Sequence, residues 1–337
     1  MNWYYEANGQ VVGPVSPEEF AHCFHARVIT SQTRVRSEGS EQWQPLAEQP
    51  AFADLCPKPP PLSGRGTTGR ELTLEQLRDP RELTALTVLY IFAGPVYLVA
   101  LIWLVGIVIA SHGIGLIVLP ILAGFFWLMN RMLQLFALAR IKTNAVRVSD
   151  SQLTEVNEAV NRCVAALKID RPEVYVVQHN IWNAFAAKLA GKRFVVLFTG
   201  AIDSILLTGD MEQLTWLVGH EMGHHAAGHT KWTHTLATPG AWFFWVFLWY
   251  SRRRELTCDR LGLYCVGNVR SSLLALSNMA GGAQLARKVN VEKAINDWKN
   301  CRREFFVRYS TMYSTHPPIL WRFLHLRESS QELGIGL

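Results

Sequence analysis

The sequence predicts an α+β protein that is mainly helical: a small sheet in the C-terminal half, a two-helix transmembrane hairpin before it, and a small α+β module at the N-terminus. Three observations carry this. Residues 83–130 contain no Asp, Glu, Lys or Arg. The first 56 residues are dense in aromatics and turn signals. Residues 148–330 mix amphipathic helical stretches with short Val/Phe-rich runs. A chain of 337 residues has room for two to three domains. It is 49% hydrophobic and only 18% charged, which excludes a disordered or collagen-like chain and is apolar for a wholly soluble one. The net charge of +6 would suit nucleic acid, but no basic stripe with interleaved aromatics accompanies it. The basic residues sit beside apolar runs, so a membrane is expected and a nucleic-acid partner is not. The six cysteines (23, 56, 163, 258, 265, 301) form no CxxC pair, which favours free thiols in a reducing compartment. The opening MNWYYEANGQ has neither the charged nor the apolar region of a signal peptide.

In residues 1–56, Trp3-Tyr4-Tyr5 reads as a strand, Asn8-Gly9 as a hairpin turn, and Val11-Val12 as a second strand ended by Gly13-Pro14. Ser16-Pro17-Glu18-Glu19 is a helix start, with Ser as N-cap and Pro at the first position. Thr33–Arg36 reads as another strand, followed by Trp43-Gln44-Pro45-Leu46. The aromatics suit the core of a mini-domain, or in part a platform for Pro-rich peptides. Residues 57–82 are expected to be a Pro/Gly-rich linker and a juxtamembrane segment, in which Glu71–Arg81 forms a short helix. The charge-free run is too long for one span of about 20 residues. It fits two, at 84–110 and 114–130 within a hairpin region 83–140, joined by Ser111-His112-Gly113. Arg65, Arg70, Arg78 and Arg81 precede it, and Arg131, Arg140, Lys142 and Arg147 follow it. Both ends are therefore expected in the cytoplasm. Ser151–Leu167 has helical periodicity, and Val174–Val177 and Phe194–Phe198 read as strands. Asp210–His229 reads as a long helix that Asp210 and Gln213 start as a capping box.

On that helix His220-Glu221-Met222-Gly223-His224 is HExxH. At about 100° per residue, positions four apart are offset by only about 40°, so both imidazoles can share one metal ion. In such sites zinc makes its water acidic, and the adjacent Glu takes the proton. A third ligand is required. Thr230 occupies the position where one protease class has a His. By helix geometry His225 and His229 lie about 140° and 180° from His220, so both read as surface residues. Glu255 and Asp259 are four apart on a later helix. Glu255 can bind zinc while Asp259 accepts the outer N–H of a ligating His. Without HExxH upstream, these two would read as a solvated face paired with Arg252–Arg254 and Arg260.

Four stretches complete a resemblance: Asn183-Ala184-Phe185, HEMGH, R-R-R-E-L-T-C-D, and Ser314-Thr315-His316-Pro317-Pro318. In this order, over residues 150–325, the chain resembles the HtpX-like zinc metallopeptidases, the family that also holds the CAAX prenyl endopeptidases. Cys258 departs from the usual Ala. The resemblance implies a zincin-type domain at 148–330, one Zn2+ ion, and endopeptidase activity on membrane or misfolded proteins. It also implies an edge strand near 194–198, with Phe194 and Val195, pairing with substrate backbone, and a cleft lined by Asn183 and His316. His316 could donate to the oxyanion, or cap the zinc in a resting state. Residues 2–50 resemble the GYF-like domains found at the start of many bacterial membrane proteins, which implies an interaction role with a protein ligand and a bacterial inner membrane as the setting. Trp232–Ser251 is a third charge-free, aromatic run. A single crossing there would separate His220 and His224 from Glu255 across a bilayer. The run is therefore re-entrant at Pro239-Gly240, interfacial with Arg252–Arg254 at headgroups, or buried.

The expected function is thus a membrane-anchored zinc endopeptidase with Glu221 as general base, whose partners are protein or peptide substrates and the lipid bilayer. The alternative is a membrane adaptor with a peptide-binding N-terminal module and a latent zinc site.

Overall fold

The computed structural model describes residues 2–7, 10–25, 28–29, 33–46, 49–52 and 71–336. The expected Asn8-Gly9 turn and the linker at 57–70 lie outside them. The chain divides into two compact units, Met1–Ser63 and Gly64–Leu337.

In the first unit, β1 (Trp3–Ala7), β2 (Gln10–Val15), β3 (Arg34–Ser37) and β4 (Gln44–Pro45) form an antiparallel sheet of order β2-β1-β3-β4. Helix α1 (Pro17–His25) starts as expected. Ser16 Oγ accepts from the Glu19 N–H at 3.3 Å, and the Glu19 carboxylate accepts from the Ser16 N–H at 3.0 Å. Strand alternation sends Trp3 and Tyr5 inward, where they join Phe20, Ile29, Val35, Leu46 and Phe52 in the core. Tyr4 and Trp43 are half-buried on the outside, with the Arg36 guanidinium over both rings. Gly13-Pro14 does not end β2. The strand runs through it, because β2 lies at the sheet edge and a missing N–H costs no ladder bond.

The second unit opens with α2 (Leu74–Leu77), capped by a Thr73–Gln76 capping box. Helices α3 (Glu82–Ala110) and α4 (Gly115–Asn144) follow, both long and apolar enough to cross a membrane. Their turn is the expected one: His112 and Gly113 have φ of 50° and 88°. Helix α4 continues well beyond residue 130, because its last turns dock on the domain that follows. Gln134 Oε1 accepts from the Ala190 N–H at 3.1 Å, and Leu138 packs on Tyr175 and Phe194. The first turns of α3 are likewise buried, through Ala85 and Leu89 against Ala237 and Tyr250.

The second sheet joins β5 (Val146–Arg147), β6 (Glu173–Val177), β7 (Ala184–Leu189) and β8 (Lys192–Phe198) in the order β5-β6-β8-β7. Strand β8 runs parallel to β6 and antiparallel to β7. This corrects one expectation. Phe194 and Val195 are fully buried in a central strand, whose main chain is paired on both sides and cannot take a substrate strand. The edge is β7. Helices α5 (Thr154–Leu167), α6 (Thr199–Thr208) and α7 (Glu212–Ala226) complete the layer beside the sheet.

The third apolar run forms no helix that is long and apolar enough to cross a membrane. It divides into α8 (Trp232–Thr235), a 3-10 turn (Thr238–Trp242) and the start of α9 (Phe244–Val266). Gly240 sits against α3, where a Cβ would meet the Leu89 carbonyl at 2.3 Å. Leu248 and Tyr250 are buried, whereas Trp242, Phe244 and Trp245 are exposed. Arg252 and Arg253 are also buried rather than at headgroups. Arg252 donates to the carbonyls of Met312 and Ser314, and Arg253 pairs with Asp79. Helices α10 (Val269–Gly281), α11 (Ala283–Ala286), α12 (Val291–Cys301), α13 (Phe305–Met312) and α14 (Ile319–Leu333) close the chain.

Helices α7 and α9 cross very closely. A Cβ on Gly219 would lie 2.9 Å from the Cys265 Cβ, and one on Gly262 would lie 2.8 Å from the Trp216 carbonyl oxygen. Gly262→Ala is therefore expected to destabilise the protein by about 1–3 kcal/mol. Denaturant unfolding of the detergent-solubilised protein measures this.

Candidate metal centre

Helix α7 forms from an apolar run, Leu214–Val218, that is buried throughout. It starts at Glu212, not at Asp210. Asp210 accepts from the Glu212 N–H at 3.0 Å, and the Gln213 side chain turns inward to Thr208 and Asn278 instead of closing a capping box. The α7–α9 crossing brings the two halves of the site together. Glu255 Oε2 lies 3.4 Å from His220 Nε2, and Oε1 lies 3.6 Å from His224 Nε2. Tetrahedral zinc with bonds near 2.1 Å needs ligand atoms roughly 3.4 Å apart. The donor set of two imidazoles and one carboxylate, all buried and with ligand atoms within 4.8 Å of one another, fits that ion.

The electrostatics agree. Burial alone would lower the His220 pKa, but the hydrogen bonds and charges of Asp259 and Glu255 outweigh it and push it up to about 10. Burial would raise Glu255, yet His220 and His224 hold it well below the usual carboxylate range. The pocket thus favours positive charge between these groups. Asp259 Oδ1 lies 3.0 Å from His220 Nδ1, so it fixes the tautomer that leaves Nε2 free. Arg322 grips Asp259 with two bonds, Nε to Oδ2 at 2.8 Å and an Nη to Oδ1 at 2.6 Å. Glu221 is buried beside His220, His224 and Glu255. Burial pushes its carboxyl up to about 7, against the counter-effect of His220.

His225 and His229 are both buried, contrary to the helical-wheel reading. His225 reaches back to the sheet, with Nε2 3.0 Å from the Phe194 carbonyl oxygen. For His229 the wheel fails because the helix has ended. Gly228, at φ +82°, turns the chain back over the last turn, and the His229 N–H donates to the His224 carbonyl at 2.9 Å. His229 Nδ1 then lies 3.1 Å from His224 Nδ1, and its Nε2 lies 3.0 Å from Glu82 Oε1. Burial pushes both His224 and His229 well down, so both rings are neutral.

A cleft of about 600 Å³ opens over these groups, lined by Asn183, Ala184 and Ala186 on one side and by Glu221, Glu255 and His316 on the other. His316 is exposed, with Nε2 3.7 Å from Glu255 Oε2. The cleft wall is the free edge of β7. Its turn to β8, Ala190-Gly191, has φ of 52° and 87°, the two-residue type that matches strand twist. Leu189 and Lys192 close that turn. Period-two alternation then gives Phe185 and Ala187 to β8 and leaves the main chain of Ala184, Ala186 and Lys188 on the outer side. Ala186 and Glu221 line the same cleft, which places that edge beside the buried carboxylate. Sequence reasoning missed Arg322, Glu82 and the β7 edge, and no local spacing pointed to them.

A helix bearing HExxH, crossed by a second that brings Glu255 and Asp259, beneath the edge of a small sheet, defines the metallopeptidase class. The comparisons sharpen this. The model of Peptidase family M48 matches residues 150–244 and 233–330, more than half of the chain, and the chain belongs to that family. M48 metallopeptidases are zinc-dependent in general. The model of GYF domain 2, a peptide-binding module, matches residues 3–52. The plastoglobule-localized metallopeptidase 48, chloroplastic, of Arabidopsis thaliana is 30% identical over 175 residues, 47% of this chain and 49% of that protein. The chain thus spans about half the length of that relative. No solved structure matches it.

Arg322→Met would leave Asp259 buried without its cation. It is expected to cost about 3–5 kcal/mol, more than Arg322→Met combined with Asp259→Leu, as read from urea unfolding of the two variants.

Proposed function

We propose that the chain is a membrane-anchored zinc endopeptidase that cleaves membrane or misfolded proteins. The observation that carries this is the convergence of His220, His224 and Glu255 on one point, with Glu221 beside them in a cleft walled by a free strand edge. His220, His224 and Glu255 would hold one Zn2+ ion, which supplies Lewis acidity for the carbonyl and an acidic water. Glu221 takes the proton of the attacking water and delivers it to the leaving amine nitrogen. Asp259 keeps the His220 tautomer fixed. His316, at the cleft mouth, donates to the oxyanion. The outward main-chain groups of Ala184, Ala186 and Lys188 pair with an extended substrate, and Asn183 lines the entrance.

In this reading residues 1–56 recruit a peptide ligand, with Tyr4 and Trp43 beside Arg36 as its contact face. Residues 57–82 link it to the hairpin at 83–140, and residues 148–330 form the peptidase domain. The lipid-facing reading of the hairpin is supported by its outward apolar side chains, Trp103 and Trp127 among them. Basic residues at both of its ends support a cytoplasmic placement of the peptidase. The relative's name places that protein in chloroplast plastoglobules, which lends no support to a bacterial inner membrane. The proposal is a bilayer anchor without an assigned organelle. An aromatic face of Trp242, Phe244 and Trp245 continues through Tyr313 to Tyr309 and Phe305, mostly exposed, and would rest at the headgroups. Nothing in the site favours a latent-site adaptor, since a purely structural zinc needs no buried carboxylate beside its ligands.

Purified Glu221→Gln is expected to retain one zinc per chain while casein cleavage falls by about 10²–10⁴-fold. His316→Ala should lower kcat with the zinc content unchanged. A wild type that holds zinc and cleaves nothing would return the adaptor reading. In bilayers, brominated lipids are expected to quench Trp242 and Trp245, and the quenching should shrink in the Trp242→Ser/Trp245→Ser variant.

A further inference from the structure

His229 and Glu82 are buried, titratable and unused by the mechanism above. Glu82 is fully buried in the first turn of the membrane helix α3, one residue before the charge-free run begins. We propose that Glu82 and His229 are positioning residues for the metal ligand His224, and that they tie the membrane hairpin to the metal centre. This rests on the reading of His220, His224 and Glu255 as the zinc ligands.

The proton positions follow from the partners. The Asp79 N–H donates to Thr257 Oγ1 at 2.9 Å, so the Thr257 hydroxyl hydrogen is free to donate to Glu82. Arg78 donates to the same carboxylate. Glu82 is thus surrounded by donors and acts as an acceptor. The His229 Nε2, 3.0 Å from Glu82 Oε1, must then carry the ring's hydrogen. A neutral imidazole has one N–H, so His229 Nδ1 is an acceptor. His224 Nδ1, 3.1 Å away, donates to it. That leaves the His224 Nε2 lone pair facing the metal position. Asp259 does this for His220 in one step, whereas His224 is served in two, through a second imidazole to a carboxylate on the hairpin. Arg78 also donates to the Ala227 carbonyl at 2.9 Å, just past the end of α7. The juxtamembrane segment therefore holds both the ligand's tautomer and the end of the ligand helix.

His224, His229 and Cys258 could also be read as a second metal pocket, because their ligand atoms lie within 4.8 Å of one another. That would require His224 to bind metals through both ring nitrogens, as a doubly deprotonated ring. The hydrogen-bonded chain explains the His224–His229 distance without it, and the Cys258 thiol, with Sγ 3.7 Å from His229 Nδ1, is a weak second donor to the same acceptor.

The test uses the full chain in detergent and reads zinc stoichiometry, zinc Kd by chelator competition, and the zinc-induced rise in Tm. Wild type is expected to bind one zinc. Glu82→Ala and His229→Leu are each expected to weaken zinc binding by about 10–100-fold, and the double variant no further than the worse single. Glu82→Gln, whose amide oxygen still accepts from His229, should restore most of the affinity. His229→Leu fills the ring's space, so it decides the matter if Glu82→Ala does not fold. Wild-type Kd and a full zinc-induced Tm rise in His229→Leu would overturn the proposal, as would independent, additive losses or two zinc ions per wild-type chain. A wild type that binds no zinc would instead sink the metal-site reading, and this inference with it.

Discussion

The site depends on one steric condition, the close crossing of α7 and α9. Glycines at 219, 223 and 262 remove the side chains that would keep the two backbones apart. One helix carries two imidazoles and a carboxylate, and the other carries Glu255 and Asp259. Only at this separation do Glu255 and the two imidazoles come within reach of one ion. The sheet and the C-terminal helices are then arranged around that pair: β7 offers its free edge to the cleft, and α14 sends Arg322 inward to Asp259.

Bringing so many charges into a low-dielectric interior is costly unless each has a partner. The molecule meets this with graded support. Asp259 has the buried Arg322. Glu255 has two imidazoles. Asp79 has Arg253 and His325, and Glu82 has Arg78, Thr257 and His229. Arg252 is spent on the carbonyls of Met312 and Ser314, which fixes the strand of chain that presents His316. Helix α9 thus carries a proposed metal ligand and also anchors the loop that bears the proposed oxyanion donor.

What the sequence made legible was local. HExxH, the Glu255/Asp259 pair and the hairpin's turn each depend on spacing within one helix or one turn, and helix geometry transmits that spacing faithfully. The N-terminal module was readable for the same reason, since its caps and strand alternation are short-range. The failures have physical causes. Phe194–Phe198 is continuously apolar, the mark of a strand covered on both faces, and it sits between two partners. The strand at the edge, Ala184–Leu189, carries a weak Ala-rich pattern. His229 was projected along a helix that Gly228 had already ended. Helix α4 outran its charge-free stretch because Gln134 and Leu138 found partners in the next domain. Arg322 and Glu82 could not be found from spacing, because their partners lie 63 and 147 residues away.

Composition places a border at residue 83, where charge disappears, but packing does not respect it. Ala85, Leu89 and Ala93 on α3 are buried, the first two against Ala237 and Tyr250, and Gly240 exists to let that helix in. The hairpin is therefore a structural wall of the hydrolase as well as its proposed tether. A protein engineer who removes it to gain a soluble enzyme would strip an apolar seam bare, and should graft a surrogate helix there or expect aggregation.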